Sequence, residues 1–310
     1  MARSKRPKAV HQLTSAQFDA MFPNGDEDAC KTYLAARRWP NGVNCPRCGN
    51  VKVYELKTRA FHWQCEECST DGYRFSVIAG TIFENTNKPL RDWFKVTHLM
   101  LTSKKGMSSR QLYRYMGFGS LKTAWSMAHK IRAALIEPEI KLGGIVEVDE
   151  TYVGGKWKNK HRDKRFAKRE DGMGTGGAAS GKISVVGAVS RKGNVIARVL
   201  DKVNSEHVCS FVHQVVSTKV SLLSTDAWPG YKMLDPFYNR GVVDHSKGEY
   251  VIGAIHTNTI EGFWSIFKRG VVGTYHKVSA KYLPLYVAEF QFRYNNRFNE
   301  DIFGTAIKGC

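Results

Sequence analysis

The helix that organises this fold is encoded by residues 256–270, which read HTNTIEGFWSIFKRG. Wound as a helix, the segment places its large apolar side chains on one stripe, at the spacing i, i+3, i+4, i+7. These side chains are Ile260, Phe263, Trp264 and Phe267. Glu261 and Lys268 share a neighbouring polar face, two turns from each other. The segment therefore predicts a buried helix that presents a carboxylate and an amine together.

Two earlier segments each carry acidic residues late in a predicted strand. The first, VEVDETY, offers Glu147, Asp149 and Glu150, and the second, SLLSTD, ends in Asp226. Two strands and the helix would together supply two aspartates and a glutamate. Carboxylates suit the hard cation Mg²⁺, and two such ions, about 3.5–4 Å apart, promote phosphodiester chemistry. Spacing does not decide among the first three acids: Glu147 shares a strand face with Asp149, and Glu150 lies on the opposite face.

The charge of the chain indicates its partner. The 310 residues carry a formal net charge of +19, and 42% of them are hydrophobic, enough for at least one sizeable core. Such a surplus predicts a polyanionic partner, because neutralising phosphates releases counterions. The sequence lacks both a run near the ~20 apolar residues of a membrane span and the apolar stretch of a secretory signal. We therefore expect no membrane partner and a cytoplasmic, nucleoid-associated location.

Four of the seven cysteines form two CxxC pairs, Cys45 with Cys48 and Cys65 with Cys68. Their separation falls within the ~15–20 residues typical of zinc sites, and alternating residues between and after the pairs favour a zinc ribbon. Four thiolates leave no open coordination position, so one structural Zn²⁺ is expected. The other three cysteines are interpreted as ordinary reduced thiols.

A helical segment follows. Ser108 is a predicted N-cap, Gly117 a predicted stop, and a further helix opens near residue 120. Two helices joined by a Gly-containing turn fit a helix-turn-helix, whose second helix enters the major groove. The alternative is an ordinary helical linker, and the overall charge favours contact with DNA. The basic side chains of the second helix are Lys122, Lys130 and Arg132.

From about residue 144 the pattern becomes α/β (α+β), in the order of a ribonuclease-H-like domain. Predicted strands cover residues 145–153, 182–191, 195–200 and 220–225, and a helix precedes the last strand. Residues 156–182 form a basic, then Gly-rich insertion. No suitable strand precedes its glycines, so a basic loop laid along DNA is favoured over a nucleotide-binding fingerprint. Six basic residues of this insertion are expected to contact DNA: Lys156, Lys158, Lys160, Arg162, Lys164 and Arg165. Arg269, on the predicted helix at residues 256–270, is expected to contact DNA as well.

These patterns divide the chain into five predicted segments. They are a basic N-terminal arm (1–25), a zinc-ribbon domain (26–85), a helix-turn-helix-like DNA-binding segment (86–140), a ribonuclease-H-like catalytic domain (141–300) and a C-terminal tail (301–310). His245 and His256 flank the entry to the helix at 256–270 and are interpreted as hydrogen-bonded loop histidines, with phosphate or metal contact as the alternative. Asn258 could cap this helix or bind DNA.

The motifs resemble those of the DDE transposases of bacterial insertion sequences that carry an N-terminal zinc ribbon. The resemblance covers about residues 15–298. It is carried by RWP before CPRCG (45–49), by VEVDETYVGG (146–155), by TD before WPGY (228–231), by residues 256–270 and by FRYNNR (292–297).

The resemblance implies that Asp149, Asp226 and Glu261 are the catalytic triad and the ligands of two Mg²⁺ (or Mn²⁺) ions, with Lys268 as their basic companion. It also implies double-stranded DNA partners, namely terminal inverted repeats and target DNA. Cleavage would expose 3′-OH ends, and these would attack target DNA in a synaptic complex that is at least a dimer. The alternatives are a nuclease without strand transfer and a domesticated DNA-binding regulator, against which the intact acidic set counts.

Overall fold

The computed structural model describes residues 13–68, 72–155, 182–201, 203–244, 251, 253 and 255–310. The chain divides into two units. The first comprises Met1–Leu135 and Asn296–Cys310, and the second comprises Ile136–Asn295. Among the described residues, no helix combines the length and apolar character that a membrane span requires.

The described α-helices are α1 (Ser15–Met21), α2 (Glu27–Arg38), α3 (Leu90–Thr102), α4 (Ser109–Met116), α5 (Leu121–Ala134), α6 (Ser205–Val215), α7 (Asn258–Gly270), α8 (Leu283–Asn295) and α9 (Ile302–Lys308). The described strands are β1 (Val53–Glu55), β2 (His62–Cys65), β3 (Tyr73–Ser76), β4 (Ile145–Val153), β5 (Ile183–Ser190), β6 (Val195–Leu200), β7 (Leu222–Asp226) and β8 (Arg240–Val243). Short 3₁₀ segments occur at Pro229–Leu234 and Ala280–Tyr282, and a π turn at Val271–Tyr275.

An aromatic cluster holds the helices of the first unit together. The ring of Phe303, on α9, lies 5.7–5.9 Å from the rings of Phe18, Phe22 and Phe94, centroid to centroid. The sequence patterns assigned α1 to an arm and α9 to a tail, whereas Phe18 in α1 and most of α9 are buried. Helices α1 and α9 contribute to this core because their apolar residues, at helical spacing, need a partner surface.

Helices α4 and α5 form the predicted pair. The Ser108 hydroxyl accepts from the backbone N–H of Gln111 (3.2 Å), and Gly117 adopts φ 64°, ψ 30°. This left-handed conformation ends α4 at the predicted glycine. Lys122 and Lys130 are exposed on α5, but Arg132 is fully buried. The prediction that Arg132 contacts DNA is therefore corrected, because a guanidinium with no accessible surface cannot reach a phosphate.

The three strands β1, β2 and β3 form a small antiparallel sheet. Trp39 packs on it, with ring centroids 5.1 Å from Trp63 and 6.2 Å from Phe75. These aromatic contacts are the main apolar support of the sheet, which is too small to bury a large core. The cysteine pairs lie around it, one before β1 and one at the end of β2.

The second unit is built on a five-stranded mixed sheet of order β6-β5-β4-β7-β8. Strands β4, β5 and β6 pair antiparallel, while β7 and β8 run parallel to β4. Helix α6 packs on one face in a core with Val146, Val148 and Leu223, and α7 and α8 pack on the other with Val185 and Val189. The predicted ribonuclease-H-like α/β fold is confirmed, with β8 as a short strand that the sequence patterns do not predict.

Helix α7 buries the predicted stripe, since Ile260, Phe263, Trp264 and Phe267 are each at most 3% exposed. Trp264 packs directly on the backbone of Gly187, which is paired with Asp149 in the sheet. A Cβ atom added at Gly187 would lie 2.6 Å from the Trp264 ring. The absence of a side chain at Gly187 therefore lets α7 lie close to the sheet beside the acidic residues of β4.

Candidate active site and metal centres

The acidic residues of two neighbouring strands converge where β4 and β7 cease to pair. The last pair joins Glu147 and Ser224, so Asp149 and Asp226 each follow it by two residues. Asp149, Glu150 and Asp226 each offer a carboxylate oxygen, and the three oxygens lie within 4.8 Å of one another. All three residues are partly buried. This set of hard oxygen donors fits a divalent cation such as Mg²⁺ or Mn²⁺.

The electrostatics of the cluster also fit a cation. Burial and, after it, the charges of Glu150, Asp226 and Glu261 together raise the pKa of Asp149 to about 7. Burial likewise raises the pKa of Glu150, although the Tyr231 hydroxyl donates a 2.8 Å hydrogen bond to its carboxylate. Crowding of carboxylates in a partly buried place is unfavourable while they are charged, and a bound cation would offset it.

Glu150 joins the cluster although it belongs to the other face of β4. Its neighbours on that face are Val146, Val148 and Tyr231, which form the core under α6. The pairing of β4 with β7 has already ended at Glu147, so on this edge of β4 no strand separates the two faces at Glu150, although β5 still pairs with the other edge. Strand alternation does not predict this convergence, and the only hint in the sequence is three acids within four residues.

Glu261 lies outside this compact group. It occupies the first turn of α7, is exposed, and accepts a 2.7 Å hydrogen bond from the Thr257 hydroxyl. Its charge nevertheless acts on Asp149. Lys268 is exposed in the last turn of the same helix, and Arg269 donates to the backbone oxygen and hydroxyl of Ser265 (3.0 and 2.7 Å).

Glu147 holds the start of α7 and has a role that the sequence patterns did not reveal. Its carboxylate is fully buried and accepts hydrogen bonds from the backbone N–H groups of Thr259 (2.7 Å) and Ile260 (3.1 Å). It also accepts from the Thr259 hydroxyl (2.9 Å) and from Nε of Arg191 (2.7 Å). Its position on the Asp149 face of a mostly apolar strand is the signal that could have identified it.

Two predicted histidines and a predicted cap flank this helix. The Nδ1 atom of His256 lies 3.1 Å from a carboxylate oxygen of Glu147, while His245 lies outside the described residues. Asn258 is the first residue of α7, and the N-cap position is Thr257, whose side chain does not cap the helix. Six predicted DNA contacts also fall outside the described residues: Lys156, Lys158, Lys160, Arg162, Lys164 and Arg165.

The four paired cysteines form a second candidate metal centre. Their sulfur atoms lie within 4.8 Å of one another, with Cys45 and Cys68 3.5 Å apart and Cys48 and Cys65 3.7 Å apart. Zn–S bonds of about 2.3 Å in a tetrahedron require sulfur atoms about 3.8 Å apart. The cluster therefore fits a tetrahedral zinc ion with all four positions filled.

The backbone prepares this centre for a metal. Burial opposes ionisation of the Cys45 thiol, but hydrogen bonds from the backbone N–H groups of Cys48 and Arg47 and from the thiols of Cys68 and Cys48 together lower the pKa to about 7. The turn is closed by a 2.8 Å bond from the Gly49 N–H to the Cys45 oxygen. A thiol that ionises near neutral pH is a ready zinc ligand.

We expect the purified chain to bind one zinc ion, and Cys65→Ser to lose it because the tetrahedron would lack one thiolate. The measurement is metal content by mass spectrometry on the chelator-washed protein. Cys209→Ser is the matched control, since Cys209 is a buried thiol outside the cluster. One equivalent of zinc retained by Cys65→Ser would contradict the assignment.

The raised pKa of Asp149 predicts a pH-dependent stability. Because folding raises this pKa from 3.8 to about 7, the native state holds the proton more tightly, and the metal-free protein loses stability as pH rises across that window. Asp149→Asn stays uncharged, so its melting temperature should exceed that of the wild type at pH 8, and the difference should shrink toward acidic pH.

Calorimetry at several pH values, with and without Mg²⁺, tests this prediction. Added Mg²⁺ should stabilise the wild type at pH 8 and stabilise Asp149→Asn less, because the variant lacks one anionic ligand. A difference in melting temperature that stays constant with pH would contradict the assigned pKa.

Comparison with known proteins places the chain in a family. Residues 141–295 match the model of the ISXO2-like transposase domain, and residues 25–71 match that of the transposase zinc-ribbon domain. The chain is 30% identical over 274 residues to an uncharacterized protein in transposable element ISH50 of Halobacterium salinarum, covering 86% of this chain and 90% of that protein.

A weaker match is the cryo-EM structure of the simian T-cell lymphotropic virus intasome in complex with PP2A regulatory subunit B56 gamma. It is 14% identical, covers 64% of this chain and 65% of that chain, and has a TM-score of 0.28, too low to support an argument. The matches to both domain models and the long match to the transposable-element protein agree with the resemblance carried by the motifs. The chain therefore belongs to the family of ISXO2-like transposases with an N-terminal zinc ribbon.

Proposed function

We propose that the chain is a metal-dependent DNA transposase that binds the terminal inverted repeats of its insertion sequence, cleaves DNA to expose 3′-OH ends and joins these ends to target DNA. The observation that carries the proposal is the convergence of Asp149, Glu150 and Asp226 just beyond the last pair between β4 and β7. The start of α7, with Glu261, supplies a further carboxylate whose charge acts on Asp149.

In this proposal Asp149 and Asp226 hold the metal, and Glu261 completes the ligand set. Two Mg²⁺ or Mn²⁺ ions, when bound, would supply an activated nucleophile and stabilise the leaving oxygen. The buried packing of Trp264 on Gly187 keeps the helix carrying Glu261 against the sheet. Lys268, exposed on the same helix, would orient a DNA phosphate.

Contact with DNA would extend beyond the acidic site. The net charge of +19 supports binding along a phosphate backbone, and Lys122 and Lys130 are exposed on α5 of the helix pair. The zinc centre would be structural, since four sulfur ligands leave no position for water. Joining two ends requires that both be held together, so we propose at least a dimer in the synaptic complex.

The test is an in vitro reaction with Mg²⁺ or Mn²⁺ on labelled DNA that ends in the repeats of the element. Three variants remove one proposed metal ligand each: Asp149→Ala, Asp226→Ala and Glu261→Ala. Each should still bind DNA, but its rates of cleavage and joining should fall by more than about 100-fold. Loss of a residue that only supports a metal ligand costs roughly 10–100-fold, and loss of the ligand itself should cost more. Glu206→Ala, an exposed acid on α6, removes the same charge and should remain active.

Two other results would replace the proposal. Cleavage without joining by the wild type would indicate a nuclease. DNA binding without acid-dependent cleavage would indicate a regulator that has kept the fold.

The helix pair yields a separate prediction. Lys122→Ala should weaken binding to DNA at all sequences and lower the slope of log affinity against log salt by about 1, because it removes one phosphate contact. Lys219→Ala, at another exposed lysine, is the charge-matched control. Fluorescence anisotropy across a salt series measures both variants, and an unchanged slope for Lys122→Ala would exclude α5 from the interface.

A further inference from the structure

The first turn of α7 is attached to the sheet by one carboxylate. The opening N–H groups of a helix have no partners within the helix, and a side chain at the N-cap often satisfies them. Here the side chain of the N-cap residue Thr257 makes no capping hydrogen bond, and its hydroxyl donates to Glu261 (2.7 Å). Glu147, on β4, accepts from the N–H groups of Thr259 and Ile260 in its place. The capping group of α7 thus comes from another element of the fold.

This attachment lies close to the acidic cluster. Glu147 precedes Asp149 by two residues on the same face of β4, and Glu261 directly follows Ile260, whose N–H the Glu147 carboxylate holds. A short stretch of strand and one turn of helix therefore connect Asp149 to Glu261. A local cap such as Asn or Ser could also accept from the opening N–H groups of α7, but it would not fix the helix to β4.

The charge of Glu147 is compensated within the same arrangement. Arg191 donates from Nε to Glu147 (2.7 Å) and from Nη2 to the backbone oxygen of His256 (3.1 Å), so it holds both the carboxylate and the residue just before the helix N-cap. The partial positive charge of the helix N-terminus also favours an anion here. A fully buried carboxylate is tolerated because these donors surround it.

We propose that Glu147 is a positioning residue of the active site: by holding the first turn of α7 on β4, it sets the place of Glu261 relative to Asp149 and Asp226. The inference rests on the proposed function, since it assigns Glu261 to the metal ligands. Glu147 does not touch the metal or the DNA. It acts through the helix that carries the third acid.

A second buried carboxylate in the same unit provides the matched control. Glu289, on α8, is also fully buried, lies 3.4 Å from the Nη2 atom of Arg293 and accepts from the Tyr275 hydroxyl (3.2 Å). Glu289→Gln and Glu147→Gln each remove a buried negative charge beside an arginine. Only Glu147→Gln disturbs the start of α7.

The experiment measures Mn²⁺ binding to the full chain without DNA, by electron paramagnetic resonance of the free ion. Glu147→Gln should raise the Kd for Mn²⁺ by about 10-fold or more, and Glu289→Gln should leave it unchanged. The double variant Glu147→Gln/Glu261→Gln should bind no more weakly than Glu261→Gln alone, because the two residues act through one ligand. The rate of strand cleavage should follow the same pattern.

Thr259→Val is a milder variant for the case in which Glu147→Gln does not fold. It removes the 2.9 Å hydroxyl contact to Glu147 and keeps both backbone N–H groups, so it should weaken Mn²⁺ binding in the same direction, by less. Thermal unfolding of each variant separates this effect from loss of fold.

Three results would overturn the inference. Equal losses in Glu147→Gln and Glu289→Gln, or additive losses in the double variant, would mean that Glu147 only stabilises the fold. Unchanged Mn²⁺ binding in Glu147→Gln, beside a clear loss in Asp149→Asn, would refute the inference and leave the proposed function standing. A wild type that neither binds Mn²⁺ nor joins DNA ends would refute both.

Discussion

The parallel pairing of β4 with β7 is the constraint on which the rest of the candidate site depends. It ends at Glu147 and Ser224, and beyond it the acids of both strands share one place. The same stretch of β4 receives α7, through the capping carboxylate of Glu147 and the packing of Trp264 on Gly187. This segment of β4 thus carries Asp149, aligns Asp226 through its pairing with β7, and holds the helix that carries Glu261. The three acidic residues of this mostly apolar strand therefore have different roles: Glu147 caps α7, and Asp149 and Glu150 belong to the acidic cluster.

The net positive charge of the chain and its local cluster of carboxylates have opposite effects on a phosphate backbone. The surplus of +19 is suited to attract and hold a phosphate backbone, while the local cluster of carboxylates repels it. Cations can reconcile the two, because they neutralise carboxylates and phosphate oxygens together. The raised pKa of Asp149 comes first from burial and then from the neighbouring negative charges, and both disfavour its charged form. Catalysis would therefore depend on metal supply more strongly than DNA binding does.

The first unit consists of small elements that are stabilised by aromatic packing and by the cysteine cluster. The three-stranded sheet packs on few aromatic rings, and the sulfur atoms around it have the spacing of a tetrahedral metal site. The helices gain stability from both ends of the described chain, since Phe18 and Phe303 meet in one aromatic cluster. Residues 13–25 of the predicted arm and the predicted tail (301–310) thereby contribute to a core. Short apolar patterns near the ends of a chain are easily overlooked, because only the partner surface gives them a structure.

The amino-acid sequence alone predicted the features that depend on residues close together in the chain. The cysteine spacing, the helix period of residues 256–270, the Ser108 cap, the Gly117 stop and the succession of strands and helices are local patterns, so the ribonuclease-H-like fold and the cysteine centre could be predicted. Features that need two distant segments to meet could not be. Strand alternation did not decide which acid near Asp149 joins the cluster, and a basic helix suggested a DNA contact for the buried Arg132. The strand pattern also did not show that Glu147 caps α7. Which side chain is buried, and which carboxylate faces which donor, depends on the surfaces that fold together, and only tertiary packing decides that.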